Sequence, residues 1–562
     1  MSNPQMHPPV LDNRIEWTVD PEAAVELGSA EAARQPLQEV NQKFGLNVSA
    51  TIVARIVNMA RGVCVVPFLL AHIGLEAYGI WTTIFILVTY VGLTTLGISN
   101  VYIKYVAEFH ARREYDKANA LISTGLAVTI PLCAAVFAAI WFGWTWLAPL
   151  LHLPPAHATD GKEAVLIVLG VFLSSIALNA FGDMLTGTQQ IAATQVFLTI
   201  GILAEFALIV WLVSAGRGIA GLAEAYLART VINDGLTIWW ARRKLKWLRL
   251  SPRLVSRESL NHVIHFGGLV QFQSMLSIFL ASVERVAALT FMGAESAGLM
   301  NVAKQWPSSL STIPTAFFAA LLPAASHVNA ASSRAEAMSN LQKLYLRATR
   351  HSNLCTSAFV AVLAFWAAPL MHVWLGPAIP VKESLIALFI IFSLTMQMHM
   401  LTGTGTSIFR GMGRVYEEFN YSIPNLLLLA VTLPLARWIE GRWTALGIGV
   451  AVCAATVLAV FVLMSRVFVV LTLRLGPFLR EVIVPGITPY LVAGVLAWPV
   501  AHFVAMVNRW QGAAVIVAGG ILYSAGVLAV LFRWVLTAVE RQQMGKCIGL
   551  GVGFLRTREA TA

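Results

Sequence analysis

The chain has 562 residues, of which 57% are hydrophobic and only 12% are charged, with a mean hydropathy of +0.72. A soluble domain is about a quarter charged, so this composition excludes an ordinary soluble protein and indicates a polytopic membrane protein. The net charge of +11 does not indicate a nucleic-acid partner, because most cations cluster in the loops between apolar segments.

Fourteen apolar segments follow residue 47, and each approaches the roughly 20 residues that a helix needs to cross a bilayer. They lack the short alternating pattern of a transmembrane barrel, which favours helices. The sequence therefore predicts an all-α, polytopic membrane protein. The predicted spans are 48–73, 79–103, 117–149, 163–187, 191–214, 219–241, 263–292, 297–325, 352–375, 384–409, 417–437, 443–469, 483–506 and 512–537.

The segments predict two six-helix lobes with two helices appended. Residues 1–47 contain Pro, Glu, Asp and Ala and lack a long apolar core, which indicates a mostly disordered cytoplasmic tail with a short helix around 21–42. The parts predicted after this tail are an N-lobe at 48–241, a basic cytoplasmic linker at 242–262, a C-lobe at 263–469, two additional helices at 470–538 and a cytoplasmic C-terminal tail at 539–562.

The distribution of Lys and Arg predicts the orientation. If the N-terminus is cytoplasmic, 24 of the 39 cations fall in inward loops and the C-terminal tail, and six fall in outward loops. Cytoplasmic loops carry the excess of Lys and Arg in bacterial membrane proteins. We therefore expect both termini on the cytoplasmic side.

A short motif occurs once in each predicted lobe, as HIGLEAYG and FMGAESAG. An even number of spans separates the copies, so both halves enter the membrane in the same orientation. Parallel repeats of this kind occur in transporters that open alternately to each side. Within the motif, Gly74, Glu76 and Gly79 correspond to Gly293, Glu295 and Gly298 at an offset of 219. A second pair of glycines lies after the fourth span of each half, where Gly187 corresponds to Gly411 at an offset of 224.

Polar side chains form stripes along the first, seventh and eighth spans. At 100° per residue, the polar positions of the first and eighth spans each fall within a wedge of about 120–140°. Such stripes are typical of helices that line a water-filled cavity, and ionisable residues inside a span mark a functional site by default. The candidate cavity residues are Arg55, Asn58, Arg61, Gln273, Glu284, Arg285, Asn301, Lys304, Gln305 and Ser308.

These stripes predict a cationic cavity that attracts an anion, because four of their residues are cations and only Glu284 is an acid. Two plainer interpretations stay open: Arg55 snorkels to the interface, and Glu284 forms a structural pair with its neighbour. Three more charged residues lie in or near other spans and are interpreted as packing or interface residues: Glu205, Arg229 and Asp234. Because the stripes hold mainly amides and hydroxyls around Arg61, we expect no neutralising acid beside it.

The segment HIGLEAYGIW, with the LGISNVYIKYVAEF that follows, resembles the opening of bacterial polysaccharide-biosynthesis flippases. These are the Wzx-type members of the multidrug/oligosaccharidyl-lipid/polysaccharide exporter superfamily. HFGGLVQFQS, the following VERVAAL and LLPAASHVNA resemble the family's seventh and eighth helices and the next loop. The resemblance covers roughly 45–350, with support from FRGMGRVYEEFN. The long tail is a departure, as is Glu284, where members often have Asp.

The resemblance implies a polytopic inner-membrane protein of a bacterium, with two lobes in a V. By alternating access these lobes would move a lipid-linked, polyprenyl-pyrophosphate oligosaccharide from the inner to the outer leaflet. Such transport serves the biosynthesis of O-antigen, exopolysaccharide or capsule. The partners that it implies are the lipid-linked oligosaccharide and membrane lipids. The identity of a coupling ion, proton or sodium, stays open, as does association with other polysaccharide-assembly proteins.

Two other functions compete with this one. A cation-coupled multidrug antiporter of the same superfamily needs buried carboxylates, whereas the first span has arginines and no acid. A membrane-embedded polymerase or ligase needs a sizeable outward loop, and no outward loop exceeds about fifteen residues. The sequence contains no metal-ligand cluster, P-loop or pair of catalytic carboxylates. We therefore expect no enzymatic activity, cofactor or metal.

The charge distribution makes the topology testable. Single cysteines after residue 155 should react with an impermeant reagent from outside, and those near 250 and 340 only from the cytoplasm. An outside result near 250 would contradict the orientation, because the linker there carries seven cations.

Overall fold

A computed structural model describes residues 30–535, apart from 93–97, 147–157, 189, most of 312–333 and 377–380. Within this part of the chain every regular element is a helix, as expected. The helices of the N-lobe are α1 Ala30–Val91, α2 Ile98–Ala111, α3 Tyr115–Phe142, α4 Ala158–Gly187, α5 Ile191–Ser214 and α6 Gly218–Lys244.

The C-lobe and the appended pair complete the series. The C-lobe helices are α7 Arg257–Met292, α8 Ala294–Leu310, α9 Arg334–Phe365, α10 Ala367–Leu375, α11 Glu383–Gly411, α12 Phe419–Glu440 and α13 Ala445–Val470. The appended pair consists of α14 Leu475–Ala505 and α15 Arg509–Val530. The short helix predicted around 21–42 is continuous with the first span from Ala30 onward, and residues 1–29 lie outside the described part.

Ten helices in the described residues are long and apolar enough to cross a membrane, or eleven if the bent pair α9–α10 is one span. The chain is therefore a multi-pass membrane protein. The number of fourteen spans remains a prediction. Helix α1 joins two predicted spans across a break at Gly74, α2 and α8 are short, and α6 carries several charges.

The recurring motif builds the same turn twice. Gly74 has φ 78° and ψ 173°, and Gly293 has φ 90° and ψ −179°, a backbone conformation that is essentially restricted to glycine. The acid of each motif follows in the first turn of the next helical segment, where negative charge interacts favourably with the helix dipole. Both carboxylates, Glu76 and Glu295, are exposed.

The last glycine of each motif forms a close contact between the lobes. A Cβ atom on Gly298 would lie 3.1 Å from the Cα atom of Gly79, and one on Gly79 would overlap the carbonyl oxygen of Ala294. The second half of α1 and the start of α8 therefore touch backbone to backbone. The other matched pair also agrees, because α4 and α11 end at Gly187 and Gly411.

The buried core is shared between the lobes at one end of the molecule and divided at the other. One cluster joins Leu69 of α1 with Val283 of α7 and Phe389 of α11, all in the outward half as the charges assign it. In the inward half, the N-lobe has its own core around Leu121 and the C-lobe another around Tyr345. The lobes therefore share one core at the predicted outward end and have separate cores at the predicted inward end.

The basic linker lies along the first turns of α3, at the predicted inward end. The Asn119 side chain donates to the carbonyl oxygen of Trp247 at 3.0 Å and accepts from the amide of Arg249 at 2.8 Å. One turn further, the Thr124 hydroxyl accepts from the amide of Ser256 at 3.0 Å. Ser256 in turn caps α7 through the amide of Ser259. These bonds fix the start of the C-lobe against the N-lobe.

The glycine contact predicts that a single methyl group opens the outward side. In a cysteine-free background with Gln305→Cys as the probe, Gly79→Ala should raise the rate at which an impermeant maleimide labels the probe from outside. The reason is that the added Cβ atom cannot fit against Ala294 when the lobes are closed. Gly235→Ala, where a Cβ atom would meet nothing within 4 Å, is the matched control. Equal labelling of both variants would show that this contact does not close the outward side.

Candidate functional site

In the N-lobe, two arginines share one buried carboxylate. Glu205 of α5 has a side chain that is only 3% exposed, and its Oε2 atom accepts from Nη1 of Arg61 on α1 at 2.7 Å. The same oxygen accepts from Nη1 of Arg229 on α6 at 3.2 Å. Three helices therefore converge on a cluster with two cations and one anion, which leaves one positive charge in excess.

This cluster corrects the expectation that Arg61 has no neutralising acid. Glu205, expected to be a packing residue, is that acid, and Arg229 is its second partner. The Nε atom of Arg61 is buried and has no hydrogen-bond partner among the described residues. The arginine therefore keeps an unused donor after its ion pair is formed.

In the C-lobe, Glu284 of α7 is fully buried and pairs with Lys304 of α8. The Lys304 ammonium donates to Oε1 of Glu284 at 2.5 Å and to the carbonyl oxygen of Ala281 at 2.9 Å. Arg285 lies beside this pair, with its Nε atom 3.9 Å from the same carboxylate oxygen. Lys304 is thus engaged by an acid of its own lobe, and the C-lobe cluster also holds one positive charge in excess.

A hydrogen-bonded chain links the C-lobe cluster to the N-lobe. Nη1 of Arg285 donates to Oδ1 of Asn301 at 3.3 Å, and Nδ2 of Asn301 donates to the hydroxyl of Tyr78 at 2.6 Å. Tyr78 precedes Gly79, so this chain lies directly beside the glycine contact. The polar network and the close backbone approach therefore occupy the same interface between the lobes.

A cavity of about 230 Å³ lies between the lobes where the two clusters meet. Its ionisable lining consists of Arg61, Arg229 and Arg285, opposed by Glu205, together with the hydroxyl of Tyr78. Three guanidinium groups against one carboxylate leave two positive charges in excess. Guanidinium groups are planar donors that match the geometry of phosphate oxygens. This inter-lobe cavity can therefore bind an anion with several oxygens.

A larger cavity of about 620 Å³ extends from this point along the C-lobe towards its inward end. Arg285, Asn301 and Gln305 line both cavities. Further along, the lining is mixed, with hydroxyl, amide, aromatic and apolar groups, and it ends at Arg410, which pairs with Glu418 at 2.8 Å. The two cavities together hold five Lys or Arg residues and three carboxylates.

Most of the predicted cavity residues line one of these cavities. Arg55 and Asn58 do not; both are exposed on α1, nearer its inward end than Arg61. The side chain of Gln273 lies outside the described residues. The predicted residues that line the cavities are Arg61, Glu284, Arg285, Asn301, Lys304, Gln305 and Ser308.

Sequence reasoning interpreted Arg229, the second arginine of the N-lobe cluster, as a packing or interface residue, and it assigned no role to Tyr78, which bridges the lobes. Arg229 is a lone cation in the middle of α6, and this signal was available. Tyr78 lies in the quoted HIGLEAYGIW segment, but its uncharged side chain gave no signal of a contact between the lobes. Among the described residues no group of three His, Cys, Asp or Glu side chains could hold a metal.

Comparison with known sequences gives a family match over half of the chain. A family model described as polysaccharide biosynthesis protein matches residues 44–329. The chain is also similar to the uncharacterized membrane protein EpsK of Bacillus subtilis (strain 168). The two are 23% identical over 522 residues, which cover 89% of this chain and 97% of that protein.

Comparison with solved structures identifies the fold. The lipid II flippase MurJ in an inward closed conformation has a TM-score of 0.63 at 14% identity, covering 87% of this chain and 99% of that one. An inward-facing multidrug resistance MATE family transporter of the MOP superfamily has a TM-score of 0.61 at 16% identity, covering 76% and 98%. At these identities the likeness establishes the fold alone.

The N-lobe cluster predicts an order of stabilities. Glu205→Gln should destabilise the protein by about 2 kcal/mol, because it leaves two guanidinium groups without their acid. This is less than for a fully buried pair, since the side chains of Arg61 and Arg229 are 25% and 23% exposed. Arg61→Gln should lower the free energy of unfolding by less than Glu205→Gln does, because Arg229 still pairs with Glu205. Melting temperatures in detergent measure both.

The exposed carboxylate of Glu76 supplies the control for this series. Glu76→Gln loses only a solvent-screened interaction with the helix dipole, so it should lower the melting temperature far less than Glu205→Gln. Adding Arg61→Gln to Glu205→Gln should recover part of the lost melting temperature, because it removes one of the two guanidinium groups that have no acid. A Glu205→Gln protein as stable as the Glu76→Gln protein would refute the ion-pair assignment.

Proposed function

The chain belongs to the polysaccharide biosynthesis protein family, and from this premise we propose that it moves a polyprenyl-diphosphate-linked oligosaccharide from the inner to the outer leaflet. It does so by alternating access in the bacterial inner membrane, with both termini cytoplasmic. The observation that carries the proposal is the inter-lobe cavity, in which Arg61, Arg229 and Arg285 face a single carboxylate.

The charge of this cavity matches the diphosphate. Its two excess positive charges have no acid among the described lining residues, and a diphosphate supplies at least two negative charges together with several acceptor oxygens. The buried Nε atoms of Arg61 and Arg285 have no hydrogen-bond acceptor in the described part of the chain, so both can donate to such oxygens. Binding the anion therefore satisfies donors and removes repulsion at once.

The larger cavity suits the glycan. It adjoins the inter-lobe cavity through Asn301 and Gln305, and it is lined by amide and hydroxyl groups with aromatic and apolar surfaces between them. Sugars present hydroxyl groups on their edges and C–H groups on their faces, so a mixed lining of this kind fits them. The polyprenyl chain stays in the bilayer outside the lobes.

The position of the arginines couples binding to movement. Arg61 and Arg229 belong to the N-lobe, whereas Arg285 belongs to the C-lobe, and all three meet where the lobes touch. With the cavity empty, like charges from opposite lobes oppose close packing, and a diphosphate between them reverses the sign of that interaction. A ligand shifts a conformational equilibrium only through such a difference in interaction between the states.

For Lys304, one of the cavity cations predicted from the sequence, the contacts favour a positioning role. Its ammonium neutralises Glu284 and bonds to the backbone of α7, so it holds α7 and α8 together beneath Arg285. This pair fixes where Arg285 lies. Lys304 therefore positions the C-lobe arginine, and the arginine contacts the diphosphate.

A cation-coupled multidrug antiporter is the competing function, because the MATE transporters share this fold. Such a transporter needs carboxylates that are free to bind a cation. Here Glu205 has two arginine partners, and Glu284 is paired with Lys304. The excess of positive charge in both clusters favours an anionic substrate.

The proposal predicts that charge in the inter-lobe cavity, rather than any one ion pair, limits glycan export. Arg285→Gln removes one excess positive charge, and it should reduce export in a complementation assay at least about tenfold, the effect of losing one charge-assisted hydrogen bond. Arg285→Lys should keep partial activity, since it retains the charge without the fork of donors.

The matched control removes one charge of each sign. The double variant Arg61→Gln with Glu205→Gln leaves the excess at two positive charges, so it should export more glycan than Arg285→Gln at equal protein level. Full export by Arg285→Gln would overturn the proposal. Extrusion of a cationic dye that depends on Glu205 or Glu284, without glycan export, would favour the antiporter.

A further inference from the structure

A groove at the outward end of the C-lobe lies apart from the candidate site. It has a volume of about 630 Å³ and is formed by the ends of α7 and α12 with the residues just before α13. None of its lining residues lines either cavity. The groove is therefore a separate feature, and the transport mechanism does not use it.

The floor of the groove is apolar and its rim is aromatic. Leu429 is buried at the floor, while the rings of Phe291 and Trp443 stack at 4.1 Å with an interplanar angle of 7°. Phe291 and Trp438 remain 48% and 80% exposed. Tryptophan is enriched where a membrane protein meets the headgroup level, which agrees with the outward end assigned by the charges.

Two unused hydrogen-bond donors lie at the same rim. The guanidinium group of Arg437 lies over the Trp443 ring, 5.5 Å from its centroid, and no acid of the described residues pairs with it. The nearest acid along the helix, Glu440, instead accepts from the hydroxyl of Thr444. The indole N–H of Trp443 is buried and has no acceptor in the described part of the chain.

We propose that this groove is a binding site for an anionic phospholipid of the outer leaflet. One acyl chain lies on the apolar floor against Leu429, and the phosphate accepts from Arg437 and from the indole of Trp443. A cation and a neutral N–H beside an apolar groove are complementary to a phosphate that carries a hydrocarbon chain. The groove has the size of ordinary small-molecule sites, which measure about 300–1,000 Å³.

The occupant is a bulk phospholipid and not the transported lipid. A carrier-linked diphosphate bound between the lobes reaches Arg285 and Arg61, and neither residue borders the groove. The exposed Trp438 places the groove on the outer surface of the C-lobe. A lipid there bridges α7 and α12 at their outward ends, which stabilises the folded C-lobe.

Crosslinking to the purified full-length protein tests this site. Phosphatidylglycerol with a photoactivatable acyl chain is added in detergent, and crosslinked peptides are identified by mass spectrometry. We expect saturable crosslinking within residues 427–443, with phosphatidylcholine of the same chain length much weaker. Arg437→Gln should reduce the crosslinking about tenfold, the loss expected for one charge-assisted hydrogen bond.

Two variants and a competitor decide between the outcomes. Arg442→Gln removes a charge from the same loop but leaves the groove intact, so it should crosslink like the parent protein. Trp443→Phe keeps the stacking ring, loses the N–H donor and should give an intermediate result. Three results would each overturn the proposal. The first is equal crosslinking of both phospholipids, and the second is an equal loss of crosslinking in Arg437→Gln and Arg442→Gln. The third is displacement of the probe by a polyprenyl diphosphate but not by unlabelled phosphatidylglycerol.

Discussion

The arrangement of this protein depends on two buried carboxylates that each hold more positive charge than they neutralise. Glu205 fixes Arg61 and Arg229 in the N-lobe, and Glu284 fixes Lys304 with Arg285 nearby in the C-lobe. Charged groups are costly in a membrane unless they are paired, so each carboxylate makes it possible to bury cations at depth. The remaining charge then lies at the contact between the lobes, where an anion has the largest effect.

The same contact explains the recurring motif. The first glycine permits a turn with positive φ, the acid lies at the start of the next helical segment, and the last glycine lets the lobes touch. Tyr78 and Asn301 form a hydrogen bond across the lobes beside this contact. The glycine contact that closes the outward side therefore lies next to the cationic cavity. Each half of the chain contributes one turn and one cluster to the interface.

The features that the sequence predicted correctly are those that depend on local pattern. The length of the apolar segments predicted the helical membrane fold, and the repeated glycine motif predicted the matching turns. Each of these signals is contained in a short stretch of the sequence. The partner of Arg61 could not be predicted in this way, since Glu205 lies 144 positions away and their contact depends on how α1 and α5 rotate against each other. For the same reason Arg55 shares a stripe with Arg61 yet lies on an exposed surface.

Binding of the lipid carrier to the purified protein tests the central claim most directly. Polyprenyl diphosphate, polyprenyl monophosphate and the neutral polyprenol share one chain and differ only in charge. If the inter-lobe cavity binds the diphosphate through its excess positive charge, the affinity should fall in that order. Arg285→Gln should then weaken the binding of the diphosphate without changing the binding of the polyprenol. Equal affinities for all three lipids would contradict the account, because binding would then depend on the hydrocarbon chain alone.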